Sequence, residues 1–327
     1  MRIVDVQAHY LPRAFIERLE GARGYPRIER QGDRLVLCHG PGLGHPALPA
    51  MYDIEQRLKE MDAAGVDVQL LSTTLPGPEM LSDPHEGAEL ARAANNETAS
   101  IVRAHAGRFA GMAALPLRDG AAAVRELERA HFELGFPAAG LYSNVAGVPL
   151  DEAGLEPLFE RAAELGTVLF LHPTYPLLGE SCRDHNLIPM LGFMLDTSLA
   201  VARLLFSGLL RRLPHLKLVV HHLGGTLPFL LGRMDYESGR IPGGREGVGE
   251  PPSRAFARLY LDVASMNPGA IRLARHWVGA KRLLFGSDHP FWDMTDGLRC
   301  VKEVGLSAEE EAAVLGANAA QLLHLRP

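Results

Sequence analysis

Short apolar runs rich in β-branched residues alternate with longer helical patterns along this sequence. Eight of these runs are candidate strands, and most are followed by a helical pattern. Such alternation predicts a parallel sheet, and eight units predict a closed (β/α)₈ barrel, an α/β TIM barrel. An open doubly wound sheet is the alternative, but no GxGxxG motif follows the first run. The predicted strands cover residues 3–6, 66–71, 109–115, 138–142, 167–171, 217–220, 259–263 and 282–285.

The spacing of apolar residues predicts helices between these strands. Ile54, Leu58 and Met61 recur at helical spacing, and Gly65 is placed to end that helix before the second strand. Further helices are predicted near residues 85–105, 119–134, 151–165, 195–212, 226–237, 268–278 and 307–323.

Two long stretches do not fit the strand–helix alternation. Residues 20–50 follow the first strand and residues 174–197 follow the fifth, so both are predicted insertions that cover the same end of the barrel. Within the first, a hairpin is predicted across Gln31, Gly32 and Asp33. The GPGLG segment at 40–44 opens no helix, which argues against a phosphate-binding loop.

The composition excludes several classes of protein. With 33 basic and 39 acidic residues and no basic stripe, the chain is not expected to bind nucleic acid or an anionic membrane. The apolar fraction of 47% supplies a large core, and we expect residues 1–327 to form a single barrel domain. The apolar stretch near residues 195–210 is interrupted by Asp196 and Arg203, so no membrane-spanning segment is expected.

The cysteines and the N-terminus indicate where the protein works. Cys38, Cys182 and Cys300 are too few and too scattered for a disulfide framework. The N-terminal segment lacks a signal-peptide pattern and already resembles a strand. We therefore expect a cytoplasmic protein.

Polar residues follow four of the predicted strands. In a barrel the carboxyl ends of all strands meet at one mouth, where active sites of this fold lie. Imidazoles and a carboxylate gathered there suit a catalytic divalent metal such as zinc. The residues are Gln7 and His9 after the first strand, His172 at the fifth, His221 and His222 at the sixth, and Asp288 and His289 at the eighth.

The paired histidines are expected to differ in role. Because neighbours along a strand point to opposite faces, only one of His221 and His222 can face the mouth. We interpret His221 and His289 as supporting residues. Other catalytic motifs are absent from the sequence: there is no GxSxG elbow, no GxxxxGK[ST] loop and no CxxC pair, and His85-Glu86 lacks the second histidine of HExxH.

Several longer motifs accompany these residues across nearly the whole chain. They are RLKEMD at 57–62, LGFP at 134–137, HLGGTLPFLLGR at 222–233, LFGSDHPF at 284–291 and GANA at 316–319. Together they resemble the amidohydrolase-2 family, in the branch that contains aminocarboxymuconate-semialdehyde, resorcylate and carboxyvanillate decarboxylases.

This resemblance implies roles for particular residues. Position 7, His9, His172 and Asp288 correspond to the ligands of the family's zinc or manganese ion. His222 matches the family's acid/base histidine. Arg233 matches an arginine that reaches the active site of a neighbouring subunit and holds a substrate carboxylate, which implies a homodimer.

Two positions depart from the family pattern. Gln7 stands where relatives have histidine or glutamate. Either its neutral amide oxygen binds the metal weakly, or Gln7 only hydrogen-bonds another ligand. Leu48 lies near the position of a carboxylate-binding arginine in the muconate-semialdehyde enzyme. That difference argues against the muconate substrate itself.

Three functions are compatible with these residues. The first is metal-dependent decarboxylation of a small aromatic or unsaturated carboxylic acid, with Asp288 or His222 supplying the proton. The second is hydrolysis of a lactone, ester or amide, with Asp288 accepting a proton from metal-activated water. The third is a non-catalytic binding protein in which Gln7 marks a decayed site.

Overall fold

Eight parallel strands form a single sheet in chain order. The structure, a computed structural model, describes residues 2–32, 34–41 and 43–325. The eight strands are Val4–Tyr10, Val68–Thr73, Phe109–Ala113, Ala138–Tyr142, Val168–His172, Leu218–Val220, Tyr260–Asp262 and Leu283–Leu284. Each overlaps one of the predicted runs, so the predicted strand order is confirmed.

The sheet curls into a nearly closed barrel because its last strand returns to its first. Val6 N–H donates to the carbonyl of Phe285 at 2.9 Å, and His9 N–H donates to that of His289 at 2.7 Å. The predicted (β/α)₈ fold is therefore confirmed. The first strand pairs irregularly between Asp5 and Ala8, which re-aims the side chains at the position of Gln7.

Alternate strand residues fill the barrel and face its helices. Val168 and Phe170 belong to the core inside the barrel, whereas Leu169 and Leu171 pack in the larger core under the helices. This period-2 alternation explains why the strands have apolar residues at nearly every position. It also places His172, two residues after Phe170, on the inner face at the mouth.

Local signals in the sequence set the ends of several helices. The Asp53 side chain accepts from Gln56 N–H at 3.0 Å to start a helix, and Gly65, with φ of 75°, ends it as predicted. The longer helices are Arg13–Leu19, Ile54–Ala64, Pro84–Ala104, Gly120–Phe132, Glu156–Leu165, Phe193–Phe206, Leu227–Arg240, Pro268–Val278 and Met294–Lys302.

Three helix predictions differ in detail from the structure. The helix predicted near 195–212 divides at Gly208, whose φ is 77°, into Phe193–Phe206 and Leu209–Arg212. The helix predicted at 151–165 begins only at Glu156. The helix predicted at 307–323 is divided into Ala308–Ala312, a π-helical segment at Ala313–Ala317, and Asn318–Leu322.

Short helical segments occur elsewhere in the chain. They cover Pro49–Met51, Pro78–Met80, Gly179–Cys182, Asp184–Asn186, Ile188–Gly192, Pro252–Phe256 and Ala280–Arg282.

The two predicted insertions are present and lie together over the mouth. The first contains an antiparallel sheet of Arg27–Gln31, Arg34–Gly40 and Leu43–Pro46. Leu43 of this sheet packs against Cys182 and Ile188 of the second insertion. Gln31 pairs with Arg34 in the hairpin predicted there, although Asp33 itself lies outside the described residues, as does Gly42 of the GPGLG segment. A smaller hairpin joins Asn144–Val145 to Val148–Pro149.

The helical stretch 184–206 is long and apolar enough to cross a membrane by length and composition, with a mean hydropathy of 1.5. Asp196 and Arg203, on which the sequence expectation rested, interrupt the stretch but do not lower its mean hydropathy enough to fail this test of length and composition. In the barrel, Asp196 of this stretch is buried and accepts from Leu177 N–H at 2.8 Å and Asn144 Nδ2 at 2.9 Å. These contacts attach the segment to the neighbouring strand ends.

Candidate active site

A cavity of about 760 Å³ opens at the mouth of the barrel, beneath the two insertions. His9, His172, His222 and Asp288 all line it, which confirms that the strand ends bring these side chains together. Its walls are mostly apolar and include Phe193, Phe229, Phe291 and Trp292. The cavity therefore combines a polar floor with a wall suited to an apolar or aromatic ligand.

Three of the predicted ligands form a compact group on this floor. One ligand atom each from His9, His172 and Asp288 lies within 4.8 Å of the others. His172 Nδ1 is 2.7 Å from the Pro173 carbonyl oxygen, which can only accept, so Nδ1 carries the hydrogen. The other ring nitrogen of His172 is consequently left with its lone pair, as metal binding requires.

The electrostatics of the group keep the histidine neutral and the carboxyl ionised. Burial, assisted by the neighbouring imidazoles, holds the pKa of His172 well below its usual value. Burial opposes charge on Asp288, yet hydrogen bonds with His222 and His9 hold the pKa of Asp288 below its usual range. Neutral imidazole and ionised carboxylate are the forms that coordinate a cation.

Gln7 contacts this group through its side-chain amide nitrogen. Its Nε2 donates to Asp288 Oδ1 at 2.9 Å and lies 2.9 Å from His222 Nε2. Its Oε1 is buried and has no hydrogen-bond partner among the residues that the structure describes. Of the two alternatives for Gln7, the hydrogen bond to another ligand is present, and the oxygen is left free for a further contact.

His221 and His222 occupy different levels of the barrel. His221 continues the inner face of the strand and lines a small interior cavity of about 20 Å³ below the mouth. His222 lies just past the strand end with φ of 53°, and this left-handed turn brings its ring to the mouth. Only His222 of the pair lines the large cavity, as predicted, but the turn rather than strand alternation is the cause.

Both histidines interpreted as supporting residues contact a carboxylate. His221 Nδ1 hydrogen-bonds Asp262, which also accepts from His222 N–H at 2.8 Å. His289 Nε2 lies 2.7 Å from Glu60 Oε2. The sequence analysis did not predict a role for Asp262. Its position at the end of the otherwise apolar strand Tyr260–Asp262 could have indicated one.

A buried arginine also supports the site and was missed. Arg57 is fully buried and donates to the carbonyl oxygens of His9 and Ala50 and to Gln69. Burial lowers the pKa of Arg57 to about 10, with nearby acids acting in the opposite direction. Arg57 lies on the apolar face of the helix Ile54–Ala64, and this position in the sequence could have predicted its burial. The arginine holds the strand end that carries His9.

Two positions singled out from the sequence lie away from the cavity. Arg233 is on the helix Leu227–Arg240 with its side chain 76% exposed, and its nearest acidic partner is Glu237 at 3.9 Å. It does not line the cavity of its own chain. Leu48 packs with the apolar cluster around Phe15 rather than toward the cavity. The substrate role predicted for Arg233 therefore requires a second subunit.

The donor set fits a divalent metal. Two imidazoles and one carboxylate are typical ligands of zinc and related ions, and they leave coordination positions for water or substrate. Buried atoms that find no hydrogen-bond partner in the described parts of the chain cluster here as well, among them Gln7 Oε1 and His9 Nδ1. Such a concentration of unpartnered polar atoms is costly in a folded protein unless a ligand uses them.

Comparison with known proteins decides the family. A sequence model of the family described as Amidohydrolase matches residues 4–325. The chain belongs to the amidohydrolase family. It is 30% identical to a 2-amino-3-carboxymuconate-6-semialdehyde decarboxylase from Dictyostelium discoideum, over 84% of this chain and 78% of that protein. The predicted family resemblance is confirmed.

Solved structures of family members share the whole barrel. The 5-carboxyvanillate decarboxylase from Sphingomonas paucimobilis superposes with a TM-score of 0.87 at 28% identity, over 99% of both chains. A dihydroxybenzoic acid decarboxylase from Polaromonas sp. has a TM-score of 0.84 at 25% identity, over 100% of this chain and 98% of that one. That structure contains bound manganese and the inhibitor 2-nitroresorcinol.

Proposed function

We propose that this amidohydrolase is a metal-dependent carboxy-lyase that decarboxylates a small aromatic carboxylic acid. The observation that carries the proposal is the group of His9, His172 and Asp288 at the floor of a largely apolar cavity. The similar proteins named above are decarboxylases, and one of their structures contains manganese. Together these support a divalent metal and a substrate with an aromatic ring.

His9, His172 and Asp288 would hold the ion, with Gln7 beside them. When bound, a divalent ion supplies positive charge that orients the substrate carboxylate or an adjacent oxygen. The apolar wall excludes water and holds the ring. Manganese is supported by the related structure, and zinc suits the same ligands.

His222 is placed to donate the proton that replaces the carboxylate on the ring carbon. Decarboxylation breaks the bond between the ring carbon and the carboxylate, and the carbon takes a proton as CO₂ leaves. Burial opposes a proton on His222, but the interaction with Asp288, 3.7 Å away, raises the pKa of His222 above its usual value. His222 can therefore deliver a proton to the carbon and recover one from solvent, while Asp288 remains an ionised ligand.

The alternative, hydrolysis of a lactone, ester or amide, uses the same ligands but is not favoured. Decarboxylation is the activity of the relatives at 25–30% identity that cover most of the chain. The two reactions differ in their products, since hydrolysis releases an alcohol or amine and no CO₂. A non-catalytic role is disfavoured because the metal-site residues remain grouped.

The test is an assay of the purified protein after loading with manganese or zinc. We expect CO₂ from one or more ortho-hydroxybenzoates and no ring opening of small lactones. Metal-free protein serves as the control. Lactone hydrolysis without CO₂ release from any acid would contradict the proposal.

We further infer that the protein is a homodimer whose partner completes the mouth. Phe229 lines the cavity although the residue is 81% exposed. Arg233 and Tyr236 follow it at helical spacing and are also exposed, the tyrosine at 61%. A second subunit packed on this face would cover the rings of Phe229 and Tyr236. It would also bring Arg233 close to the active site of that partner.

A further inference from the structure

Two histidines of the first insertion, His39 and His45, line the same cavity, although the proposed reaction assigns them no role. Their rings stack with centroids 4.8 Å apart and planes 30° apart. His45 also meets the edge of Phe291 at 4.8 Å, and Phe291 in turn lies 5.4 Å from the ring of His9. His45 is therefore fixed between two rings, about one aromatic ring away from the metal group.

The hydrogen-bond pattern of His45 determines what it can recognise. Its Nδ1 is 3.1 Å from the carbonyl oxygen of Pro46, which can only accept, so Nδ1 carries the hydrogen. In the neutral ring Nε2 is then an acceptor, and no hydrogen bond within the described residues involves it. Burial lowers the pKa of His45, which favours this neutral form. An acceptor of this kind recognises a hydroxyl hydrogen and repels a carboxylate.

The charge of the cavity agrees with this preference. Among the described residues that line it, none is lysine or arginine. A second carboxylate on the substrate would therefore find no cation from its own subunit around His45. Stacking against the buried His39, whose pKa is held well below its usual value by burial, adds no positive charge either.

We propose that His45 determines specificity by accepting, at Nε2, a hydrogen bond from a hydroxyl group of the substrate ring. The substrate class is then an aromatic acid with a hydroxyl on the ring edge opposite the carboxylate that binds at the metal group. His39 is a positioning residue that holds the plane of the His45 ring. This inference rests on the proposed decarboxylase function, which places the carboxylate at the metal group.

The experiment compares four acids that differ only opposite the carboxylate. They are 2-hydroxybenzoate and its 4-hydroxy, 4-methoxy and 4-carboxy derivatives. Dissociation constants are measured by calorimetry on the manganese-loaded protein, and CO₂ release is recorded separately. We expect the 4-hydroxy acid to bind about tenfold more tightly than the 4-methoxy acid, the effect of one hydrogen bond, and the 4-carboxy acid to bind most weakly.

Variants locate the acceptor. His45→Phe keeps a ring against His39 and Phe291 but should abolish the preference for the hydroxyl. His45→Gln offers a carbonyl oxygen and should restore part of it, whereas the matched control His39→Phe should retain it. The proposal is overturned if His45→Phe retains the preference, or if His39→Phe alone abolishes it.

The order of the four acids on the unaltered protein tests the proposal even where a variant fails to fold. No preference for the hydroxyl, or tightest binding of the 4-carboxy acid, would overturn it. A preference that depends on His45, without CO₂ from any of the acids, would support the binding assignment. The same result would refute the proposed function, so the two failures are distinguishable.

Discussion

The side-chain amide of Gln7 donates a hydrogen bond to Asp288, with 2.9 Å between Gln7 Nε2 and Asp288 Oδ1. The same nitrogen lies 2.9 Å from His222 Nε2. Gln7 therefore contacts both a proposed metal ligand and the proposed proton donor. The charge of the side chain at position 7, and not only its size, should affect metal binding. Because glutamine is neutral, Asp288 is the one carboxylate in the group of His9, His172 and Asp288.

Substitution of Gln7 should change metal affinity in a fixed order. Gln7→Glu places a second negative charge beside Asp288, and a bound cation relieves their repulsion, so we expect affinity to rise about 10- to 100-fold. Gln7→Ala should lower affinity, because the free amide oxygen is lost. Competition with a fluorescent chelator measures all three proteins. Equal affinities would show that Gln7 does not contact the ion.

Removal of His172 should strip the site of metal. His172→Ala deletes one of two imidazoles in the group, so most of the bound manganese or zinc should be lost while the far-ultraviolet spectrum stays unchanged. Metal is measured by mass spectrometry after dialysis. The control His85→Ala removes an exposed histidine whose side chain is 79% accessible. Unchanged metal content in His172→Ala would refute the assignment.

Much of the barrel could be predicted from the sequence because its signals are local. Strands buried on both faces are nearly continuous apolar runs, and Gly65 marks a helix end by its left-handed conformation. The ligand group could also be predicted, because parallel strands deliver His9, His172 and Asp288 to one mouth. The family resemblance added the role expected for each residue.

Other features depend on contacts between distant segments, which no local pattern encodes. Asp262 meets His221 across 41 positions, and Arg57 reaches the carbonyl of His9 across 48. The turn at His222 arises from a left-handed backbone that strand periodicity does not describe. His45 comes close to Phe291 only because the insertion folds back over the mouth.

His222 should be the more important of the two adjacent histidines for turnover. His222→Asn should lower kcat about 10²- to 10⁴-fold and leave metal content unchanged, because a proton donor is lost but no ligand. His221→Asn should have a smaller effect, since this ring contacts Asp262 below the mouth. The reverse result would show that the roles are assigned one residue out of register.

The pH dependence gives a second measure of the same role. Asp288 raises the pKa of His222, so the protonated form persists to higher pH than in a free histidine. If this form donates the proton, kcat should fall as the pH rises through that pKa. The fall should be absent from the residual activity of His222→Asn. A profile identical in both proteins would exclude His222 as the donor.

Glu79 should lower stability at alkaline pH. It is fully buried, none of the described residues hydrogen-bonds its carboxyl oxygens, and burial raises its pKa to about 8 from 4.5. The unfolded chain releases this proton near pH 4.5 and the folded chain near 8, so stability declines as pH rises between them. Glu79→Gln should remove this decline, which amounts to at most roughly 5 kcal/mol.

Denaturant unfolding at pH 5 and pH 8 measures the difference. The loss of unfolding free energy between the two pH values should be larger in the unaltered protein than in Glu79→Gln. Glu89→Gln, at a side chain that is 72% exposed, is the matched control and should behave like the unaltered protein. An equal loss in all three proteins would show that Glu79 is ionised in the fold.

Arg233 should act in the active site of the partner subunit. Its guanidinium is exposed, lies outside the cavity of its own chain, and can hold a carboxylate through two parallel hydrogen bonds. We expect Arg233→Ala and His172→Ala each to be inactive.

Mixing the two inactive variants tests this role. In a mixed dimer one site carries both defects and the other carries neither. Activity should therefore return toward one quarter of normal when equal amounts of the two variants exchange subunits at random. Exchange is verified by mass spectrometry of differently tagged subunits. Absence of recovery despite exchange would place Arg233 outside the partner's site, as an ordinary surface residue paired with Glu237 and worth under ~1 kcal/mol.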